Sequence, residues 1–258
     1  MIIATYRLLF TFLILVPFSL ANRGRDLQAM TPRQILLAAA SGFFLALHFV
    51  TWFTSLKYTS LASSVVLVTL QPVFVVIGSR LFFNEKVPRK ALFGVVLALA
   101  GSFVIGAADF QLGMRALIGD ILALIAAVMV SGYLLIGRRL RGDVGLTGYT
   151  FVAYGCSALT LVVSSGVANI SFYPYQPREW LLFLALAVVC TIVGHTVFNW
   201  VLRYVQASVV AVSVLGEPLG AILWASIFLG ENPTPRQMVG GFLILSGLYM
   251  FTRVSAKG

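Results

Sequence analysis

Nine stretches of this sequence, at about 4–21, 34–56, 61–83, 91–108, 116–137, 144–168, 180–202, 207–229 and 237–252, are apolar over about the 20 residues that a helix needs to cross a bilayer. The joins between them are short and hold turn and charged residues, as at 22–33, 84–90, 138–143 and 169–178. That leaves no room for a separate soluble domain. A transmembrane β-barrel would show alternating segments of about ten residues, and these runs are continuous and about twice as long. Of the 258 residues, 60% are hydrophobic and 10% charged, whereas soluble domains carry about 25% charged residues. The fold class that follows is all-α, a polytopic helical bundle whose partner is the lipid bilayer.

The net charge is +10, but the basic residues fall in short clusters between apolar runs instead of covering one face, so nucleic acid is not an expected partner. Their distribution reads as orientation. Arg23, Arg25, Arg33, Arg80, Lys86, Arg89, Lys90, Arg138, Arg139, Arg141, Arg203, Arg253 and Lys257 fall on one side of the membrane, against Lys57, Arg115, Arg178 and Arg236 on the other. The positive-inside rule makes the first side cytoplasmic, with the carboxyl terminus inside and a cytoplasmic or inner membrane as the location. The segment from Leu8 to Leu20 has the length of a signal-peptide core. The arginines that follow at once favour a retained helix. Cys156 and Cys190 both lie inside apolar runs and form neither a disulfide framework nor a zinc module.

Shifting the chain on itself by 146 residues superposes Leu56-Lys57-Tyr58 on Leu202-Arg203-Tyr204, Gln71-Pro72 on Glu217-Pro218, Glu85 on Glu231, Gly94 on Gly240 and Gly101 on Gly247. Shared apolar composition does not align proline, acid and two glycines together, so the chain reads as a duplication, 1–110 and 111–258. The same shift leaves the helix at 116–137 without a mate in the first half. Repeats of five helices are odd in number and sit in opposite orientations, the inverted arrangement that transporters use. The expectation is an inverted repeat of four helices plus five, with the ancestral first helix missing.

These paired features, the basic-aromatic pair after the third helix, the mid-helix polar residue before proline, and Asn84-Glu85 matched by Gly230-Glu231, resemble EamA-type members of the drug/metabolite transporter superfamily. The resemblance covers essentially the whole chain and is strongest over 56–104 and 202–250. It implies ten helices, both termini cytoplasmic, a central substrate cavity between the halves, and export of amino acids or other small metabolites.

An ionised side chain at a helix centre costs about 2.5–3.5 kcal/mol on insertion scales, so polar residues there mark sites. Glu217 lies mid-helix, with Gln71 at the matching place. The proline after each frees a carbonyl one turn back, at Val68 and Val214. Glu217 reads either as a proton or substrate-ammonium site or as a packing contact across helices. His48, with Thr51 and Trp52 one turn on, and His195, with Asn199 four residues on, each form a set on one helical face. They suit a proton relay, substrate hydrogen bonding, or a plain bond to a neighbouring helix. Trp52 and Trp200 near helix ends fit aromatic belts, and Trp52 also belongs to the His48 face. Tyr133, after Ser131 and Gly132, fits a cavity that combines aromatics with few polar groups. Arg7 fits an interfacial residue that snorkels. Gly94, Ala98 and Gly101, with Gly240, Ser246 and Gly247, permit close helix approach within the chain or in a homodimer.

Neither histidine has a second metal-ligand type one turn away, so no metal is expected. The nucleophile-elbow, zincin, P-loop and dinucleotide motifs do not occur, and no cofactor is expected. The function expected is secondary active transport of a small-molecule solute by alternating access. The alternatives are an integral-membrane enzyme acting on a lipid and a non-transporting membrane subunit.

Overall fold

The computed structural model describes residues 1–21, 25–106, 113–230 and 232–255. Arg23, Glu231 and Lys257 of the sequence reading lie outside the described residues. In chain order the helices are α1 (Ile2–Ala21), α2 (Arg25–Gln28), α3 (Pro32–Ser55), α4 (Leu61–Val68), α5 (Gln71–Phe83), α6 (Arg89–Gly106), α7 (Met114–Arg141), α8 (Leu146–Val167), α9 (Pro177–Ala185), α10 (Thr196–Val201), α11 (Ala207–Ser213), α12 (Glu217–Leu229) and α13 (Pro235–Ser255). A π-helical segment, Leu186–His195, joins α9 to α10, and a 3-10 turn, Val214–Gly216, joins α11 to α12. Among the described residues there are nine spans long and apolar enough to cross a membrane, one for each apolar stretch of the sequence. Helices satisfy their backbone groups internally, which a lipid-embedded chain requires.

Helix starts follow from the local sequence. Thr31-Pro-Arg-Gln34 and Thr234-Pro-Arg-Gln237 open α3 and α13 with the same capping box. Each glutamine Oε1 accepts from the threonine backbone N–H, at 2.8 and 2.7 Å, and each threonine Oγ1 accepts from the glutamine N–H at 3.3 Å.

Positions paired by the 146-residue shift also match in backbone geometry. The spans that contain Gln71 and Glu217 are both interrupted just before the polar-proline pair. Leu70 and Gly216 hold the matching dihedrals −72/−5° and −76/−13°. Both spans then end on left-handed residues, Asn84 (φ 55°) and Gly230 (φ 69°), whose N–H groups donate to the carbonyls of Ser79 and Ala225, again 146 residues apart.

The chain forms two compact units, Met1–Phe53 with Gly132–Val205, and Thr54–Ser131 with Gln206–Gly258. Each unit gathers helices from both of the repeats expected from the sequence, and the chain passes from one to the other inside α3, inside α7 and between α10 and α11. The first unit pairs α1 with its repeat mate α8. Thr5 meets Ser165 (2.9 Å), and Phe12 lies against Gly155, so the two run antiparallel. A second anchor in this unit is aromatic. Tyr6 stacks on Phe183 (centroids 5.2 Å apart, planes 11°), meets Trp180 edge-on at 4.7 Å, and donates its hydroxyl to the Phe172 carbonyl at 2.7 Å. That bond ties the 169–176 connection to α1. Tyr6→Phe keeps the ring packing and loses this one bond, so it is expected to cost about 1 kcal/mol, read as a small drop in the melting temperature of the purified protein. No change in melting would sink the tie.

The second unit is organised by α6 and α13, also repeat mates. Gly94 faces the backbone of Gly247, and Gly101 faces that of Gly240. The duplication exchanges these two contacts with each other, so the pair is antiparallel with a local pseudo-twofold axis. Ala91, Val95, Ala98, Val212, Leu215 and Phe251 form the adjoining core. The glycines considered for a homodimer are thus engaged within the chain.

Candidate functional site

The first unit concentrates polar side chains inside its spans. Asn199 on α10 is fully buried; its Nδ2 donates to the hydroxyls of Tyr133 on α7 (2.6 Å) and Tyr154 on α8 (3.0 Å). Tyr154 continues to Thr196 Oγ1 at 3.2 Å, and that hydroxyl donates to the Thr191 carbonyl at 3.1 Å. Tyr149 on α8 pairs with Ser41 on α3 (2.7 Å), and Ser41 also reaches the Tyr133 carbonyl (3.2 Å). Asn199 Oδ1 is buried without a partner among the described residues. An unsatisfied buried acceptor is uncommon in native interiors and costs about 1–3 kcal/mol.

His195 is the last residue of the π segment, and its half-buried ring lies 6.0 Å from Tyr133 and 6.4 Å from Phe49. His48, buried on α3, lies 5.1 Å from Phe49 and 5.5 Å from Trp52. The two histidines therefore flank one phenylalanine ring. Arg7 on α1 stands over the same ring at 5.2 Å, donates from Nε to Thr191 Oγ1 at 2.7 Å, and from Nη2 to the Cys190 carbonyl at 3.2 Å. Five of the expected site residues, His48, Trp52, Tyr133, His195 and Asn199, thus belong to one unit, and five helices, α1, α3, α7, α8 and α10, together with the π segment supply the surroundings.

Gln71 and Glu217 belong to the second unit. Gln71 opens α5, is buried, and its carbonyl accepts from Ser131 Oγ at 3.1 Å. Glu217 opens α12 and is exposed; its carboxylate complements the positive end of that helix. Trp224 is also exposed, stacked on Phe228 at 5.4 Å, and Trp200 packs edge-on against Tyr204 at 5.3 Å.

Several polar residues escaped sequence reasoning. Thr191, Tyr149 and Tyr154 carry no charge and look like ordinary span residues. Asp120 on α7 accepts from Thr59 Oγ1 (2.8 Å) and Ser63 Oγ (2.7 Å), locking α7 to the start of α4. Its signal was available: it is the one acid inside the stretch 116–137. Arg141, expected as a topology mark, is 1% exposed and donates from Nε to the Asn199 carbonyl (2.9 Å) and from Nη1 to the Val144 carbonyl. Arg138 donates to the Leu202 carbonyl at 3.0 Å, so the two arginines cap the last turn of α10.

Antiparallel repeat mates, spans broken at matching prolines, and polar groups gathered inside an apolar bundle together define the class of polytopic membrane transporters. The chain belongs to the EamA-like transporter family, which it matches over residues 1–107 and 117–253. Members of that family are transporters and not enzymes, which sets aside the lipid-enzyme alternative. Relatives include an uncharacterized transporter of Archaeoglobus fulgidus, 29% identical over 78% of this chain and 70% of that one. The uncharacterized transporter YxxF of Bacillus subtilis is 24% identical over 93% and 76%. The pseudopaline exporter CntI of Pseudomonas aeruginosa is 25% identical over 87% and 78%. A solved crystal structure shares the fold with a TM-score of 0.82 at 20% identity, over 99% of this chain and 88% of that one.

Proposed function

We propose that the protein is a secondary active exporter of amino acids or related small metabolites that works by alternating access in the cytoplasmic membrane, with its carboxyl terminus inside. The observation that carries this reading is the matched interruption of two spans, each resumed by a half-helix whose first residue is polar, Gln71 or Glu217. Broken helices of this kind present half-helix ends and backbone polar groups near the membrane midplane, where carriers bind solute and coupling ions. The similarity to an exporter supports outward movement. The polar groups of the first unit, His48, His195, Asn199, Tyr133 and Trp52, supply donors, acceptors and aromatic faces for a small polar solute. Glu217 serves as the proton or substrate-ammonium site.

Glu217→Gln keeps the shape and removes the charge. A hydrogen bond to a charged group contributes about 1.5–3 kcal/mol, so counterflow in sealed proteoliposomes is expected to fall about ten- to a hundred-fold while the protein stays monodisperse. Undiminished counterflow with unchanged response to a pH gradient would remove Glu217 from the mechanism. Absence of saturable counterflow by the unaltered protein would favour a non-transporting subunit.

A further inference from the structure

In the second unit, the start of α6 carries more positive charge than starting a helix requires. Lys86, Arg89 and Lys90 are all exposed, and the shift of 146 residues puts Asn232, Pro235 and Arg236 in their places. Helix α13 thus opens with one of the three cations. Because α6 and α13 run antiparallel, Arg253 in the last turn of α13 comes to the same end of the unit. Arg80, in the last turn of α5, is tied to that end by the short connection 84–88. Both arginines are exposed, and each is oriented by a neutral group: Arg80 donates to Asn84 Oδ1 and Arg253 to the Tyr249 hydroxyl, both at 2.7 Å. The connection itself contains one acid, Glu85. The positive end of the α6 dipole adds to the same field, and an anion placed there relieves the repulsion.

A groove of about 420 Å³ lies along the same helix. Val66, Leu67 and Leu70 form one wall, Val96, Ala100 and Phe103 belong to the other, and every lining residue is apolar. Arg89, Phe93, Val96, Ala100 and Phe103 share one face of α6, at alternating steps of four and three residues, and all five are exposed. One strip of the helix therefore runs from the basic cluster into the groove. At 1.5 Å per residue, Val96 lies about 10 Å and Ala100 about 16 Å from Arg89 along the axis. Half of the hydrocarbon core of a bilayer is about 15 Å thick. An acyl chain whose headgroup rests at Arg89 is long enough to reach the groove.

We propose that this strip is a binding site for one anionic phospholipid. Lys86, Arg89 and Lys90, with Arg80 and Arg253 beside them, take the headgroup phosphate, and one acyl chain follows Phe93 into the groove between α4 and α6. Clusters of four to eight Lys and Arg at a membrane surface recognise anionic lipids in this way. The apolar groove on the same face selects a lipid over free phosphate. The proposal is independent of what the protein transports.

The test measures retention of phosphatidylglycerol and phosphatidylcholine, with the same acyl chains, by the purified full chain in detergent, using native mass spectrometry. Each cation near a membrane surface contributes about fivefold in affinity, so phosphatidylglycerol is expected to bind about tenfold or more tightly. In the triple variant K86Q/R89Q/K90Q its affinity is expected to fall to that of phosphatidylcholine, which stays unchanged. Removing the same charge from exposed arginines of the first unit, in R25Q/R33Q/R139Q, is expected to leave the preference intact. Ala100→Trp, which fills the groove, is expected to weaken both lipids several-fold and keep their ratio. If the triple variant does not fold, Arg89→Gln alone, with an expected loss of about fivefold for phosphatidylglycerol, takes its place. Equal binding of the two lipids, an undiminished preference in K86Q/R89Q/K90Q, or an equal loss in R25Q/R33Q/R139Q overturns the proposal. So does unchanged lipid binding in Ala100→Trp, or displacement of phosphatidylglycerol by inorganic phosphate, which would make the cluster a site for the free anion.

Discussion

Gly247→Val is expected to be the most damaging single substitution in the second unit, costing about 3 kcal/mol or more, at or above the top of the usual range for overpacking. Even a first side-chain carbon at this position would lie 2.5 Å from the Gly94 carbonyl oxygen and 2.6 Å from the Ala98 nitrogen. Both are backbone atoms, which cannot swing aside as a flexible side chain can, so α6 and α13 must separate along their whole contact. In lipid there is no hydrophobic force to restore it, because the association depends on close packing. Gly94→Val should do the same from the other helix, against the Gly247 carbonyl at 2.7 Å. Gly166 on α8, where an added carbon meets nothing within 4 Å, is the control. Thermal unfolding monitored by size exclusion checks the prediction. If Gly247→Val and Gly166→Val melt together, the glycine contact does not hold the unit.

Arg141→Ala is expected to cost about 3 kcal/mol or more in the first unit, since bonds to a charged donor contribute about 1.5–3 kcal/mol each. Two carbonyls, those of Asn199 and Val144, would lose this donor, and a guanidinium-sized void would open beside Val144 and Asn199. Because Asn199 also holds Tyr133 and Tyr154, the loss should spread into the polar cluster. Arg141→Lys restores the charge but not the fork, and it should recover less than half of the lost stability. If Arg141→Lys melts like the unaltered protein, the charge alone matters and the two directed bonds do not.

Much of this was legible in the residues because a bilayer is a demanding solvent. Nine apolar runs could become little else than the nine spans found among the described residues, and Pro72 and Pro218 each removed a backbone donor where two of those spans are interrupted. The duplicated letters at Gln71 and Glu217, and at Asn84 and Gly230, carried through to matching dihedrals because those features depend on a few adjacent residues. Small residues at 94, 98, 101, 240 and 247 announced close packing for the same local reason.

Partners were another matter. Arg7 could equally have snorkelled to an interface until α1 met Thr191 and Cys190. Arg141 looked like one of many cytoplasmic charges and proved to be buried against the end of α10. The π segment left no hydropathy signature, since a change from i→i+4 to i→i+5 bonding alters the register and not the apolarity. The repeat expected from the sequence divides it near residue 110, whereas packing divides the chain inside α3, inside α7 and between α10 and α11, and no periodicity marks that partition.

By itself, then, the sequence determined the spans and their breaks, because each is set by the transfer of backbone and side chains into lipid over a few neighbouring residues. Tertiary structure alone decided which glycine meets which, which hydroxyls surround Asn199, and what holds Arg7. Those outcomes depend on contacts between residues as much as 184 positions apart, and such contacts exist only once the helices have packed.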